Sequence, residues 1–95
     1  MEFRKAKLLL KLLRDKKLLT AILVQRLGER TRITIGSEHD EQDLRAFSVV
    51  TAGYRMGAAR GVLGIIGPTR MRYGYVRDLV GSAAHELGAI GEEYF

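Results

Sequence analysis

The stretch GVLGIIGPTRMRY at residues 61–73 constrains the fold of this chain more than any other. Its first part is apolar or glycine, which is typical of a strand buried on both faces. A Gly-Pro pair then ends the strand, because proline cannot donate a hydrogen bond to a ladder. If Arg72 is the N-cap of the following helix, Met71 and Val76 have the spacing of a hydrophobic staple, in which the residue before the cap packs against the fourth residue of the helix. The segment therefore predicts a strand followed almost at once by a helix.

Two helices are predicted, one on each side of the strands. Residues 3–28 are rich in leucine and basic residues, and Gly28 is a natural end for this helix. Its apolar pattern blurs after Asp15, so the helix either bends near residues 15–17 or buries a wider arc in its second half. The C-terminal helix spans residues 73–92, with an apolar stripe made of Val76, Val80, Ala83, Leu87, Ile90 and Tyr94.

Three strands are predicted between these helices, at residues 31–35, 46–55 and 61–66. The last two form an antiparallel hairpin, with a turn at residues 56–60 in which Gly57 provides a positive φ. A short turn of helix capped by Asp40 precedes the second strand. The fold class is therefore α+β: a small antiparallel sheet of about three strands packs against a long N-terminal and a long C-terminal helix.

Length and composition favour one small domain over residues 1–95, with a basic helix at 1–28, a sheet at 31–67 and a C-terminal helix at 73–92. A chain this short buries a modest core, and three strands leave at least one sheet edge open. We therefore expect self-association, as a dimer. The absence of cysteine excludes disulfides and thiolate metal sites.

The sequence favours no enzyme class. His39 falls in an acidic stretch that reads as a solvated loop, and His85 falls on the polar face of the last helix. No hydroxyl residue has an identifiable base, so we expect no catalytic residue, no metal and no cofactor. No apolar run is long enough to span a membrane, and lysines interrupt the leucine-rich N-terminal segment, unlike a signal peptide. A cytoplasmic protein with no membrane partner is expected.

Positive charge is concentrated at one end of the chain. Residues 1–30 hold nine Lys/Arg and three Asp/Glu, whereas the rest holds seven and eight, so the net charge of +5 belongs to the first helix. Such a face contacts nucleic acid or another anion, meets an acidic partner or is simply solvated. No recognition helix is visible beside it. The candidate contact residues are Arg4, Lys7, Lys11 and Arg14.

Glycines mark two further patterns. Residues 64–70 precede a helix start and could hold an anion through backbone amides, although neither a Walker motif nor a dinucleotide fingerprint is present. Close packing within a strand is the alternative for these glycines. Gly74, Gly81 and Gly88 recur every seven residues on the last helix. They either admit another backbone closely or are tolerated at about 1 kcal/mol each relative to alanine.

Three motifs together resemble the C-terminal part of the heat-inducible transcription repressor HrcA: RITIGSE (32–38), LRAFSVVTAGY (44–54) and GVLGIIGPTRMRY. The third is similar to the family mark Gly-x-Leu-Gly-Val-Ile-Gly-Pro-Thr-Arg-Met-Asp-Tyr. The chain departs from the family at Ser37, Gly53 and Arg72, where glutamate, proline and aspartate are usual. The residues of the structural family motif are Gly64, Gly67, Pro68, Thr69, Arg70 and Met71.

The resemblance implies a function as well as a fold. HrcA proteins have a winged-helix DNA-binding domain and a GAF-like domain interrupted by a dimerising insertion, and this sequence is similar to the second half of the GAF-like domain, with no winged helix. It implies the regulatory and dimerisation portion of a repressor of chaperone operons. In that family, operator DNA is bound through the domain absent here, and a GroEL-type chaperonin is a partner. The alternatives are a GAF-like small-molecule-sensing module and a stand-alone basic nucleic-acid-binding protein.

Overall fold

The computed structural model of the chain describes residues 3–28 and 30–94, and the side chain of Tyr94 is not described. Its elements are the helices α1 (Phe3–Arg14), α2 (Lys16–Val24) and α3 (Tyr73–Tyr94), and the strands β1 (Thr31–Ile35), β2 (Phe47–Met56) and β3 (Ala59–Pro68). Two short 3₁₀ turns, Gly36–Glu38 and Gln42–Ala46, lie between β1 and β2. These elements confirm the predicted α+β class with a three-stranded sheet.

The sheet is antiparallel throughout, in the order β1-β2-β3, so that β2 is its central strand. Val50 lies opposite Ile33 on one side and opposite Ile65 on the other. The predicted hairpin of the last two strands is confirmed. At the turn, β2 reaches Met56 instead of residue 55 and β3 begins at Ala59 instead of residue 61, because Gly57, with a φ of +59°, allows a tighter turn than the five residues assigned to it.

The N-terminal helix predicted over residues 3–28 is broken within its length. It is two helices, separated at Asp15 (φ −87°, ψ 88°), whose Oδ1 accepts a hydrogen bond from the Leu18 N–H at 3.0 Å. A side chain that satisfies the first amides of a new helix favours a break over continuation. Of the two alternatives that the sequence left open, the bend near residues 15–17 is the one found.

The two faces of the sheet carry separate hydrophobic clusters. On the face covered by α1 and α2, the buried residues are Leu12, Ile22, Leu44, Phe47 and Val49. On the face covered by α3, they are Val50, Ala52, Val80 and Ala84. Adjacent residues of β2 therefore point into different clusters, as the two-residue period of a strand requires.

The buried stripe of α3 is shifted from the predicted one. Val80 is buried as expected, but Ala83 and Ile90 are exposed, and Ala84 and Gly91 are buried in their place. A β-carbon on Gly91 would lie 2.5 Å from the Cα of Met56, so the helix approaches the hairpin more closely than a larger residue would allow. Helical spacing alone does not distinguish these neighbouring positions, and close approach selects the smaller residues.

The other glycines of α3 have a different environment. A β-carbon on Gly74 or Gly81 would meet no described atom within 4 Å, and one on Gly88 would lie at an ordinary 3.6 Å from the carbonyl oxygen of Arg55. No backbone within the described ranges approaches Gly74 or Gly81. Among the described residues, close packing therefore explains neither Gly74 nor Gly81, and only Gly88 lies against another backbone.

We predict that Gly81→Ala raises the free energy of unfolding by about 0.5–1 kcal/mol, because alanine restricts the unfolded chain and favours helix. Gly91→Ala should lower it by about 1–3 kcal/mol, since the new methyl group overlaps Met56. Urea unfolding followed by circular dichroism measures both variants. A destabilising Gly81→Ala would contradict the open environment of that position.

The start of α3 confirms the predicted cap position. The helix begins at Tyr73, and the Val76 N–H donates to the carbonyl oxygen of Arg72 at 2.9 Å. Met71 and Val76 pack against the same hydrophobic cluster. Arg72 therefore stands at the N-cap, where its side chain has no acceptor to offer the free amides and its charge opposes the helix dipole.

Arg72→Asp should therefore stabilise the fold by about 1 kcal/mol, because a carboxylate at the N-cap accepts from those amides. Arg70→Asp is the matched control, since it makes the same charge change at an exposed residue just outside the helix. We expect the control to stay within about 0.5 kcal/mol of the parent chain. Equal effects of both substitutions in thermal unfolding would show that net charge, and not capping, is responsible.

Candidate interaction surfaces

The family-motif loop is held against β2 by its own side chains. The Tyr73 hydroxyl donates to the carbonyl oxygen of Thr69 and lies 2.6 Å from the Oγ of Ser48, a fully buried residue of β2. With the tyrosine proton on Thr69, Ser48 is the donor in the second bond. These two hydrogen bonds connect the loop, the start of α3 and the central strand.

Two glycines of the motif are placed where a side chain would collide. A β-carbon on Gly67 would lie 2.7 Å from the sulfur of Met71, and one on Gly64 would lie 2.8 Å from the Cγ2 of Thr51. Pro68 ends β3 opposite Phe47. These contacts are those of close packing, and they support a structural role for the motif. The alternative anion site at residues 64–70 stays a prediction.

The remaining motif residues are less constrained. Thr69 is half-buried, and a β-carbon on the neighbouring Gly36 would lie 3.6 Å from its methyl group. Arg70 is exposed. Together the motif residues form a packed strand end with one charged side chain directed to solvent.

The basic residues form a separate surface on α1. All four candidate contact residues are exposed and follow one another at helical spacing: Arg4, Lys7, Lys11 and Arg14. The Lys7 ammonium lies 4.8 Å from the centroid of the exposed Phe3 ring. This surface suits a polyanion or an acidic protein equally well, and its role in binding stays a prediction.

His39 is not in a solvated loop, as the sequence predicted, but is only 4% exposed. It lies between the two 3₁₀ turns and lines a cavity of about 60 Å³ together with side chains of α2 and β1. Its Nε2 is buried and has no hydrogen-bond partner among the described residues. The acidic neighbours Glu38, Asp40 and Glu41 are exposed, which is why this stretch resembles a solvated loop in sequence.

Arg26 borders the same cavity and was not singled out from the sequence. It is buried, its Nη1 donates to the carbonyl oxygen of Ile22 at 2.9 Å, and its Nη2 donates to the Oγ1 of Thr34 at 3.0 Å. The guanidinium thus joins the end of α2 to β1. No local pattern marks an arginine for such a role, because its partners become neighbours only when the helix docks on the sheet.

The buried position of His39 disfavours its protonated form. Desolvation, and then the nearby positive charge of Arg26, lower the pKa of His39 from its usual 6.5. Hydrogen bonding to the backbone of Phe47 and Thr34 and the charge of Glu38 oppose this shift in part. At neutral pH the imidazole is uncharged.

We therefore predict that stability falls as the pH is lowered through 6.5. Below that pH the unfolded chain takes up a proton at His39 that the folded chain refuses, until the lower folded pKa is reached. One proton gives a slope of at most about 1.4 kcal/mol per pH unit. Urea unfolding between pH 7.5 and 5.5 measures it. His39→Gln should reduce the slope, and a slope as steep as that of the parent chain would contradict this origin.

Within residues 3–28 and 30–94, no group of three or more His, Cys, Asp or Glu side chains is arranged to hold a metal ion. No described helix is both long and apolar enough to cross a bilayer.

The fold of this chain is similar to that of a solved structure described as a hypothetical protein. It superimposes with a TM-score of 0.70 at 20% sequence identity, over 96% of this chain and 28% of its own. At this level of identity the match shows the fold alone.

Sequence comparison gives the family. The profile of the HrcA protein C terminal domain matches residues 1–76. The chain is similar to the heat-inducible transcription repressors HrcA of Afipia carboxidovorans (49% identical over 60% of this chain), Erythrobacter litoralis (45% over 66%) and Natranaerobius thermophilus (34% over 90%). It spans 16%, 19% and 25% of their respective lengths. This chain therefore belongs to the HrcA family of heat-inducible transcription repressors, and its sequence matches the family's C-terminal domain.

Proposed function

We propose that this chain is the regulatory and dimerisation portion of a heat-shock transcription repressor that acts on chaperone operons. Operator DNA is then read by a domain outside these residues, and a GroEL-type chaperonin acts on the assembled repressor. The match of residues 1–76 to the C-terminal domain of the family supports this assignment. The proposed role is non-enzymatic, needs no cofactor and is exercised in the cytoplasm.

The observation that carries the proposal is apolar surface on the side of α1 and α2. Leu10 is 56% exposed and Leu13 49% exposed, and both lie on α1, the helix that also carries the basic surface. Val24 of α2 is also exposed. Exposed leucines on neighbouring turns are typical of a surface that another protein chain covers. These exposed apolar side chains favour contact with another protein chain over a catalytic role.

A fusion experiment tests the dimerisation part of the proposal. The chain is joined to a DNA-binding domain that represses a reporter only when it is dimerised. We expect at least tenfold stronger repression than with the DNA-binding domain alone, because a dimer binds both half-sites of an operator at once.

Two controls define the result. The DNA-binding domain fused to a monomeric protein of similar size should not repress, and neither should this chain expressed without the fusion partner. Repression no stronger than in these controls, from a fusion that accumulates to the same level, would exclude dimerisation by this chain.

A further inference from the structure

We propose that a cleft at the end of the sheet where β2 turns into β3 binds the phosphate groups of a small phosphorylated molecule through Arg30, Arg55 and Arg60. The inference goes beyond the regulatory role proposed above and does not depend on dimerisation. It follows from the register of the strands, from the reach of the Arg60 side chain and from the placement of like charges opposite each other.

The register of the sheet places these three side chains on one face. Arg55 lies directly opposite Arg60 in the hairpin. The Gly53 N–H donates to the carbonyl oxygen of Arg30 at 3.2 Å, which continues the pairing of β1 with β2 by one residue. Residues paired across a ladder share a face of the sheet, and so do residues two apart along a strand. The three arginines and Gly53 therefore share the face of Val49, opposite the face that α3 covers.

A cleft lies between these side chains. It has a volume of about 620 Å³, and its lining consists of Gly28, Arg30, Gly53, Tyr54, Arg55 and Arg60. Gly53 lies beside Arg30 across the ladder and two residues before Arg55 along the strand. Because it has no side chain, the space between these two arginines stays open. A cleft of this volume is typical of sites for small molecules.

The side chain of Arg60 reaches across the sheet at this cleft. Arg60 belongs to β3, but its Nη1 lies 3.8 Å from the position that a β-carbon on Gly28 would take, in the segment that precedes β1. The side chain therefore extends over the central strand. Its guanidinium lies near the segment that carries Arg30, on the side of the sheet away from its own strand.

Positive charge in the cleft is not compensated by the described residues. Like charges directly opposite each other on neighbouring strands destabilise a sheet, and Arg55 and Arg60 are placed in this way. None of the three arginines has an ion-pair partner among the described residues. Glu92 of α3 lines the adjoining cavity together with Arg30 and Arg55, but it forms an ion pair with neither. A bound anion would relieve this repulsion.

Phosphate groups suit three guanidinium groups. Each guanidinium presents a planar fork of N–H donors that matches two oxygens of a phosphate, and such charge-assisted hydrogen bonds are about twice as strong as neutral ones. A diphosphate group has enough oxygens for all three arginines. Proteins that bind duplex DNA tightly contact about six to ten phosphates, more than a cleft with three cations provides. A small molecule with a diphosphate group is therefore the class of ligand that fits.

Isothermal titration calorimetry with sodium pyrophosphate at constant ionic strength tests the site. We expect saturable binding of one pyrophosphate per chain, with a dissociation constant below about 1 mM. Sodium sulfate should bind about tenfold more weakly, because a single tetrahedral anion has too few oxygens to pair with three guanidinium groups. Equal binding of sulfate, or no saturation by pyrophosphate, would indicate general attraction by the net charge of +5 and would overturn the proposal.

A matched pair of variants locates the binding. Arg60→Gln should raise the dissociation constant of pyrophosphate at least about tenfold, since it removes a charge-assisted hydrogen bond. Arg14→Gln makes the same change at an exposed residue of α1 and should alter it less than about twofold. Circular dichroism checks that both variants fold. If Arg60→Gln does not fold, Arg55→Gln replaces it with the same expectation. Equal weakening by the α1 variant would exclude this cleft.

A nucleic-acid titration separates the two sources of phosphate. A single-stranded DNA oligonucleotide without terminal phosphates is titrated into the parent chain and into Arg60→Gln. Oligonucleotide binding that Arg60→Gln abolishes, together with no binding of pyrophosphate, would show that the cleft takes nucleic acid and would overturn the small-molecule proposal. None of these outcomes bears on dimerisation, which the reporter fusion measures separately.

Discussion

The fold depends on the burial of β2 from both sides. Residues 47–52 are buried without interruption, so neither face of this central strand can be left to water. Phe47 and Val49 require α1 and α2, whereas Val50 and Ala52 require α3. Ser48 lies within the same run, and its buried hydroxyl is satisfied by Tyr73. The outer elements are arranged around this one strand.

Local patterns predicted the parts of the fold that local chemistry determines. The strand-to-helix transition at residues 61–73, the hairpin and the cap position of Arg72 all follow from residue types a few positions apart. The same local chemistry includes Asp15 as a cap, but the leucine-rich pattern on both sides of it resembles one continuous helix. The break at Asp15 was therefore identified only in the structure, from the hydrogen bond that the Leu18 N–H donates to the Asp15 side chain.

Features determined by docking were not predictable from the sequence alone. His39 is buried among residues of α2, β1 and the 3₁₀ turns, and the exposed carboxylates beside it conceal this in the sequence. The choice of Ala84 and Gly91 as contact positions depends on how closely α3 approaches the hairpin. The residues of the candidate surfaces were found from charge and motif, whereas the partial exposure of β3 was not predicted. Its nearly continuous apolar sequence predicted burial on both faces, whereas the strand is only partly buried.

The two layers that cover β2 differ in how firmly they are anchored. α1 and α2 each bury a single residue, Leu12 and Ile22, whereas β2, β3 and α3 form a unit that is contiguous in sequence from residue 47 onward. Contiguous contacts form early in folding, and weakly anchored segments open at lower free energy than the whole molecule. Detachment of the N-terminal helices would expose Phe47 and Val49, so we expect any such opening to be partial and brief, and to precede opening of the hairpin and α3.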